Sequence, residues 1–148
     1  MQGRGRPKES GPLDGAGKRS VYIAVRRNFL SPMLIAYDTP APFTTIGRRN
    51  VSNVPAQALI LMNDPFVAEQ ARLWVRNLLS VRSDSPEHRV RRMYILALGR
   101  EPSTPECSTA LGFVGNQAKE YGCSSDDERV WADLAHVLFN TKEFVFVN

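Results

Sequence analysis

The chain shows a helical period of apolar positions that is clearest near its C-terminus. Apolar pairs recur at residues 130–131, 134–135 and 138–139, and each of the two gaps between them contains one polar residue. A spacing of three to four residues places such pairs on one face of a helix. Similar stripes run through residues 67–79 and 90–121. The pattern predicts several amphipathic helices, each with one face in a common core.

Signals that begin helices divide these stripes into separate elements. Ser31, Asp64 and Ser85 each precede a proline, and these residue types favour the N-cap and the first position of a helix. Gly99 is placed to end the helix that begins after Ser85. Further helices are predicted to begin near residues 55, 104 and 126. The sequence therefore predicts a mainly α fold, a compact bundle of about five helices.

The two ends of the chain differ from this helical middle. Residues 20–25 and 144–147 are short, apolar and rich in β-branched and aromatic side chains, so we expect extended segments there. Residues 1–19 contain five glycines and two prolines and predict a disordered basic tail or linker. The helical domain would then cover residues 20–148. The low-complexity start indicates a fragment of a larger protein.

The distribution of charge argues against a nucleic-acid partner. The chain has 19 Lys and Arg and 15 Asp and Glu, for a net charge of +4. Residues 1–19 contribute +3 of this charge, and residues 20–148 contribute +1. A nucleic-acid interface needs a basic face on the folded domain. No apolar run approaches the roughly 20 residues that a membrane helix needs, so no membrane span is expected.

His136 is the strongest single candidate for chemistry. It lies one helical turn from Asp133 and one from Asn140. A carboxylate beside a histidine is the arrangement that orients general bases and metal ligands. A metal would need ligands that the sequence does not identify, so no metal and no cofactor are expected in this chain. The alternative is a histidine that is packed or hydrogen-bonded between helices.

Two groups of arginines lead to different expectations. Arg48, Arg49 and Asn50 stand in a predicted loop, where paired guanidinium groups could bind a carboxylate, sulfate or phosphate. The structural alternative is that they cap helices or form ion pairs. The arginines within residues 89–92 are expected to form a solvated helix face.

The remaining chemistry of the sequence is sparse. Cys107 and Cys123 follow no spacing typical of zinc or haem attachment. We expect two small, mostly buried thiols, and a disulfide in an oxidising compartment is left open. Motifs of serine hydrolases, nucleotide binding and calcium binding are missing as well. Whether the chain is an enzyme stays open at this point.

Four stretches of the sequence carry a resemblance when they are taken together. They are residues 26–34 (RRNFLSPML), 47–67 (GRRNVSNVPAQALILMNDPFV), 96–102 (LALGREP) and 131–144 (WADLAHVLFNTKEF). In this order they resemble the C-terminal domain of unknown function of large planctomycete cytochrome-c-type proteins. The resemblance covers about residues 19–148.

This resemblance indicates which kind of protein contains the domain, and it implies no particular reaction. It implies a larger extracytoplasmic parent protein, often with a haem-binding cytochrome c domain, whereas no haem role carries over to this chain. The implied function is that of an accessory or interaction domain, with other domains of the parent or a glycan as partners. The alternative is an enzyme domain, hydrolytic and acting on glycans, with a pocket around Arg48, Arg49, Asp133 and His136.

Overall fold

Seven α-helices make up most of the chain that the structure describes. The computed structural model describes residues 17, 19, 31–40, 54–80 and 85–145. Within these residues it contains helices and no strands, which confirms the predicted mainly α fold. The helices are α1 (Pro32–Ala36), α2 (Val54–Asn63), α3 (Pro65–Leu79), α4 (Pro86–Leu98), α5 (Thr104–Tyr121), α6 (Glu128–Phe139) and α7 (Lys142–Val145). No helix of this described part is long and apolar enough to span a membrane.

The chain divides into two units, residues 1–60 and 61–148. In the first unit, α1 begins at the proline that follows Ser31, as predicted. Most of α2 also belongs to this unit, and its last turn belongs to the second. The predicted extended segment at residues 20–25 and the predicted loop at 44–53 lie outside the described residues. The domain boundary after residue 19 stays a prediction.

Side-chain caps begin the helices of the second unit. The Asp64 carboxylate accepts the Phe66 N–H at 2.8 Å, and the Ser85 hydroxyl accepts an N–H from the first turn of α4 at 3.3 Å. At the start of α5, the side chains of Ser103 and Glu106 each accept the other's backbone N–H, which forms a capping box. These caps supply partners to N–H groups that the first turn of a helix leaves without one. The predicted helix starts are confirmed.

Glycines end two of these helices. Gly99 follows α4 with a φ of 70°, and Gly122 follows α5 with a φ of 61°. A side chain at either position would be strained in this left-handed conformation. The role predicted for Gly99 is confirmed.

Helices α3 and α6 form the most extensive helix pair of the second unit. Near the end of α3, Arg76 Nε donates to Glu128 Oε1 at the start of α6, at 2.9 Å. Just before α3, the Leu61 carbonyl lies 2.9 Å from His136 Nε2, near the end of α6. Because the end of each helix meets the start of the other, the pair is antiparallel.

The core lies between this pair and helices α4 and α5. Trp131 of α6 is fully buried, and its Nε1–H donates to the Ser125 carbonyl at 2.7 Å, so its polar atom has a partner. The stripes predicted from the sequence supply the core. Its buried members are Ala71, Val75, Leu78, Val90, Met93, Ala110, Val114, Ala118, Val130, Trp131, Leu134, Ala135 and Leu138.

The extended segment predicted at residues 144–147 is wrong for its first two residues. Phe144 and Val145 end the short helix α7, and the residues after Val145 lie outside the described part. The Thr141 hydroxyl accepts the Phe144 N–H at 3.3 Å, and the Phe144 ring packs on the Phe139 ring with centroids 4.9 Å apart. Local β-propensity is weak, and contacts with α6 override it here.

Candidate functional site

The predicted site residues fall on different parts of the chain. Arg48, Arg49 and Asn50 lie outside the described residues, so their placement beside the other candidates stays a prediction. Asp133 and His136 lie on α6, both half-buried. The outer face of α6, opposite its buried stripe, is therefore the part of the candidate site that the structure describes.

The start of α6 sets the position of this face. Asp127 caps the helix by accepting the Arg129 N–H at 2.9 Å. The same carboxylate accepts hydrogen bonds from Arg129 Nε at 3.0 Å and Nη2 at 2.9 Å. The Arg129 guanidinium lowers the pKa of Asp127 to about 2, because it stabilises the charged carboxylate. The capping group is thus ionised at every ordinary pH.

His136 joins α6 to the end of α2. Its Nε2 lies 2.9 Å from the Leu61 carbonyl oxygen, so Nε2 carries a hydrogen and donates it. Asn140 Nδ2 donates to the same oxygen at 3.5 Å and to the His136 carbonyl at 2.8 Å. Leu61 lies in the last turn of α2, where carbonyls have no partner within the helix. His136 and Asn140 supply that partner.

Asp133 joins α6 to the end of α5. Its Oδ2 accepts the Tyr121 O–H at 2.7 Å. This hydrogen bond, with the nearby negative charge, raises the pKa of Tyr121 above 10.0, because the neutral phenol is the donor. The Arg129 guanidinium lies 5.5 Å from the centre of the same phenol ring. Asp127, Arg129, Tyr121 and Asp133 thus form a continuous row of polar contacts.

The geometry separates the two candidate residues of α6. Asp133 bonds to Tyr121, and His136 bonds to the Leu61 carbonyl. Each side chain is used to hold a neighbouring helix end. A carboxylate that orients a catalytic histidine would instead hydrogen-bond to the imidazole.

The prediction that Arg89 belongs to a solvated helix face is wrong. Its side chain is only 13% exposed and forms an ion pair with Asp126. Its guanidinium lies 5.4 Å from the centre of a Trp131 ring, where a cation is attracted to the aromatic face. A signal was present, because Arg89 stands four residues before the buried Met93 and therefore on the same side of α4.

The sequence analysis did not predict a structural role for Arg100. It donates two hydrogen bonds to Glu106 and two to Glu143, all between 2.7 and 2.9 Å. Its guanidinium also lies 5.7 Å from the centre of the Tyr94 ring. The two carboxylates raise the pKa of Arg100, and it lowers the pKa of Glu106 to about 2. A single residue therefore ties α5 and α7 to the end of α4.

The cysteines occupy opposite ends of α5. Cys107 lies in its first turn, Cys123 follows its last, and both thiols are free and half-buried. The helix from Cys107 to its last residue, Tyr121, is about 21 Å long, and Cys123 lies two residues beyond that end. A disulfide spans at most about 7 Å between Cα atoms. The disulfide that the sequence left open therefore cannot link Cys107 to Cys123 in this fold.

No group of three or more His, Cys, Asp or Glu side chains is arranged to hold a metal ion within the described ranges. The model of a family described as PSD1, a protein of unknown function (DUF1553), matches residues 5–114. Neither the curated proteins nor the solved structures contain a significant match.

Proposed function

Since the chain belongs to the PSD1 family of proteins of unknown function (DUF1553), we propose a role from the geometry of its own helices. The chain is a non-catalytic accessory domain of a larger extracytoplasmic protein of the planctomycete cytochrome c type. It acts by binding another domain of that protein through the outer face of α4, which we define by Arg91, Ile95 and Leu96.

The observation that carries this proposal is a pair of exposed aliphatic side chains. Ile95 is 47% exposed and its neighbour Leu96 is 59% exposed, whereas Val90 and Met93 of the same helix are fully buried. Leaving large aliphatic side chains in water costs free energy, roughly 25 cal/mol for each Å² of apolar surface. A partner that covers them recovers this free energy, and adjacent exposed apolar residues are typical of interaction sites.

A basic side chain borders the apolar pair. Arg91 is exposed and stands four residues before Ile95, so the two share one side of α4. Arginine at the edge of an apolar patch favours a partner with carboxylates around an apolar centre. We therefore expect the bound domain to present such a surface.

The hydrogen bonds of α6 support an accessory role over a catalytic one. Asp133 and His136 hold the ends of α5 and α2. Groups engaged in this way stabilise the unit and are not directed at a substrate.

Binding of the 148-residue chain to the remaining domains of the parent protein tests the proposal. Isothermal titration calorimetry is expected to give a measurable affinity that falls at least about tenfold in Leu96→Asp, because a charge would enter an apolar contact. The matched control is Leu73→Asp, since Leu73 of α3 is 42% exposed and lies off the proposed face. Equal affinities of the two variants, with unchanged circular dichroism, would contradict the proposal.

A further inference from the structure

Helix α7 is too short to be stable without its neighbours. It contains four residues, and helices of this length do not persist in water by themselves. Two contacts hold it in place. The Phe144 ring packs on Phe139 with centroids 4.9 Å apart, and Glu143 pairs with Arg100.

Arg100 uses one edge of its guanidinium for each carboxylate. Its Nε donates to Glu143 Oε1 at 2.7 Å and its Nη2 donates to Glu143 Oε2 at 2.8 Å. The other edge donates to Glu106 at 2.7 and 2.9 Å, and Nη1 also donates to the Glu101 carbonyl at 3.1 Å. All five N–H groups of the guanidinium therefore have acceptors. This geometry fixes Glu143 as long as its carboxylate is charged.

The two carboxylates are not equally secured. Glu106 accepts further hydrogen bonds from the N–H and the hydroxyl of Ser103, at 2.7 and 2.8 Å, because it belongs to the capping box of α5. Glu143 has Arg100 as its principal partner. A loss of charge would therefore detach Glu143 before it detaches Glu106.

The short helix covers an aromatic contact. Phe139 lies beneath Phe144 and stacks on Trp74 of α3, with centroids 5.4 Å apart and planes inclined by 20°. Phe139 and Trp74 are both half-buried members of the core surface. Displacing α7 would expose the ring of Phe139 and loosen the contact that shields Trp74.

We propose that α7 is a strap that the charge of Glu143 holds closed, and that its release uncovers the aromatic pair of Trp74 and Phe139. The strap is a conformational device of the second unit and is independent of the docking role of α4. An exposed ion pair contributes little free energy, so loss of the Glu143 charge shifts the balance toward the open position by a few-fold and leaves the bundle folded. Small changes in charge or binding can then shift the balance between the closed and open positions.

The effect of pH has a definite sign. Arg100 holds the pKa of Glu143 below its usual value of 4.5, so closure is fully favoured above that value and is lost as the pH falls through the lowered one. The titratable groups that face Glu143 are Arg100, Glu106 and Tyr94. From α6 the strap is contacted by Phe139, which does not titrate.

The replacement Glu143→Gln in the full chain removes the charge at pH 7 and tests the proposal. We expect hydrogen exchange of the Arg100 Nε–H, followed by nuclear magnetic resonance, to accelerate about fivefold, the factor for one exposed ion pair. Acrylamide quenching of tryptophan fluorescence should rise as well. It reports Trp74, because Trp131 is fully buried. Glu120→Gln on α5 is the matched control and should change neither signal.

Unchanged exchange and quenching in Glu143→Gln would overturn the proposal. So would a loss of the whole cooperative melt, because the strap would then be an inseparable part of the bundle. Titration of the unchanged chain from pH 7 to pH 3 gives an independent check. The Arg100 signal must change while the helical circular dichroism signal of the unit persists.

Discussion

The two faces of α6 stabilise the molecule in different ways. The inner face consists of side chains that are at most 4% exposed and contact other apolar groups. The outer face carries polar side chains that bond to specific atoms at helix ends, and the exposed Arg129 among them pairs with Asp127, the cap of α6 itself. Polar residues that share a helix face can therefore resemble a catalytic site when their partners are helix ends. The inner residues are Val130, Trp131, Leu134, Ala135 and Leu138, and the outer polar ones are Arg129, Asp133, His136 and Asn140.

The largest effect is expected on the inner face. Trp131→Ala should lower the free energy of unfolding by about 3–5 kcal/mol. The substitution leaves a cavity and removes the contacts of Trp131 with Arg89 and Ser125. Urea unfolding followed by circular dichroism measures this difference. Val137→Ala is the control on the outer face, since Val137 is 48% exposed, and it should stay within about 0.5 kcal/mol. Similar values for both variants would remove the distinction between the faces.

A smaller effect is expected at the edge of the inner face. Arg89→Met should lower the free energy of unfolding by about 1–2 kcal/mol, because it removes both the cation–π contact with Trp131 and the ion pair with Asp126. The matched control is Arg91→Met two residues later, which changes the same charge at an exposed position. If the two variants melted at the same temperature, Arg89 would belong to the solvated face after all.

The outer face should respond through its shared acceptor. His136→Ala and Asn140→Ala are each expected to cost about 1 kcal/mol in the free energy of unfolding. The double variant should cost more than the sum, because each single variant leaves the Leu61 carbonyl one donor and the double variant leaves it neither. Chemical denaturation of the four proteins in a double-mutant cycle gives the coupling. Strict additivity would show that the two residues act separately.

The smallest effect is a titration on the outer face. The phenol of Tyr121 should titrate above pH 10, and Asp133→Asn should return its pKa toward the ordinary value. Since the folded pKa is the higher one, this stability is present below pH 10 and is lost as the pH rises through the raised value. Nuclear magnetic resonance of the tyrosine Cζ atoms distinguishes Tyr121 from Tyr94. The pKa of Tyr94 is also raised, mainly because the side chain is partly buried. An unchanged Tyr121 titration in Asp133→Asn would contradict the hydrogen bond.

Much of the fold follows from local sequence signals. The pairs of a capping residue and a proline predict the starts of α1, α3 and α4, because they act within one turn. The inner stripe of α6 is likewise readable from its period. Gly99 is recognised as a helix end for the same local reason. These features need no knowledge of the rest of the chain.

The features that the sequence reading missed depend on distant partners. Helix α7 forms because Arg100 and Phe139 hold it, 43 residues away in the case of Arg100. Arg89 is covered because Trp131 and Asp126 come to it from another part of the chain. The partners of Asp133 and His136 are equally non-local, so their helical spacing could not separate a structural role from a catalytic one. The repeat of apolar positions identifies the buried face of one helix and does not identify the residues that contact that helix.

The two cysteines mark the two ends of α5 and can be used to measure a distance along it. One thiol stands near each end of an 18-residue helix, and no other cysteine exists in the chain. Spin labels attached to both would therefore report a separation set by the roughly 21 Å of helix between Cys107 and Tyr121, without any engineered residue. A partner that bends or unwinds α5 would shorten or broaden that distance. The native chain thus carries its own pair of attachment points for following the shape of the bundle.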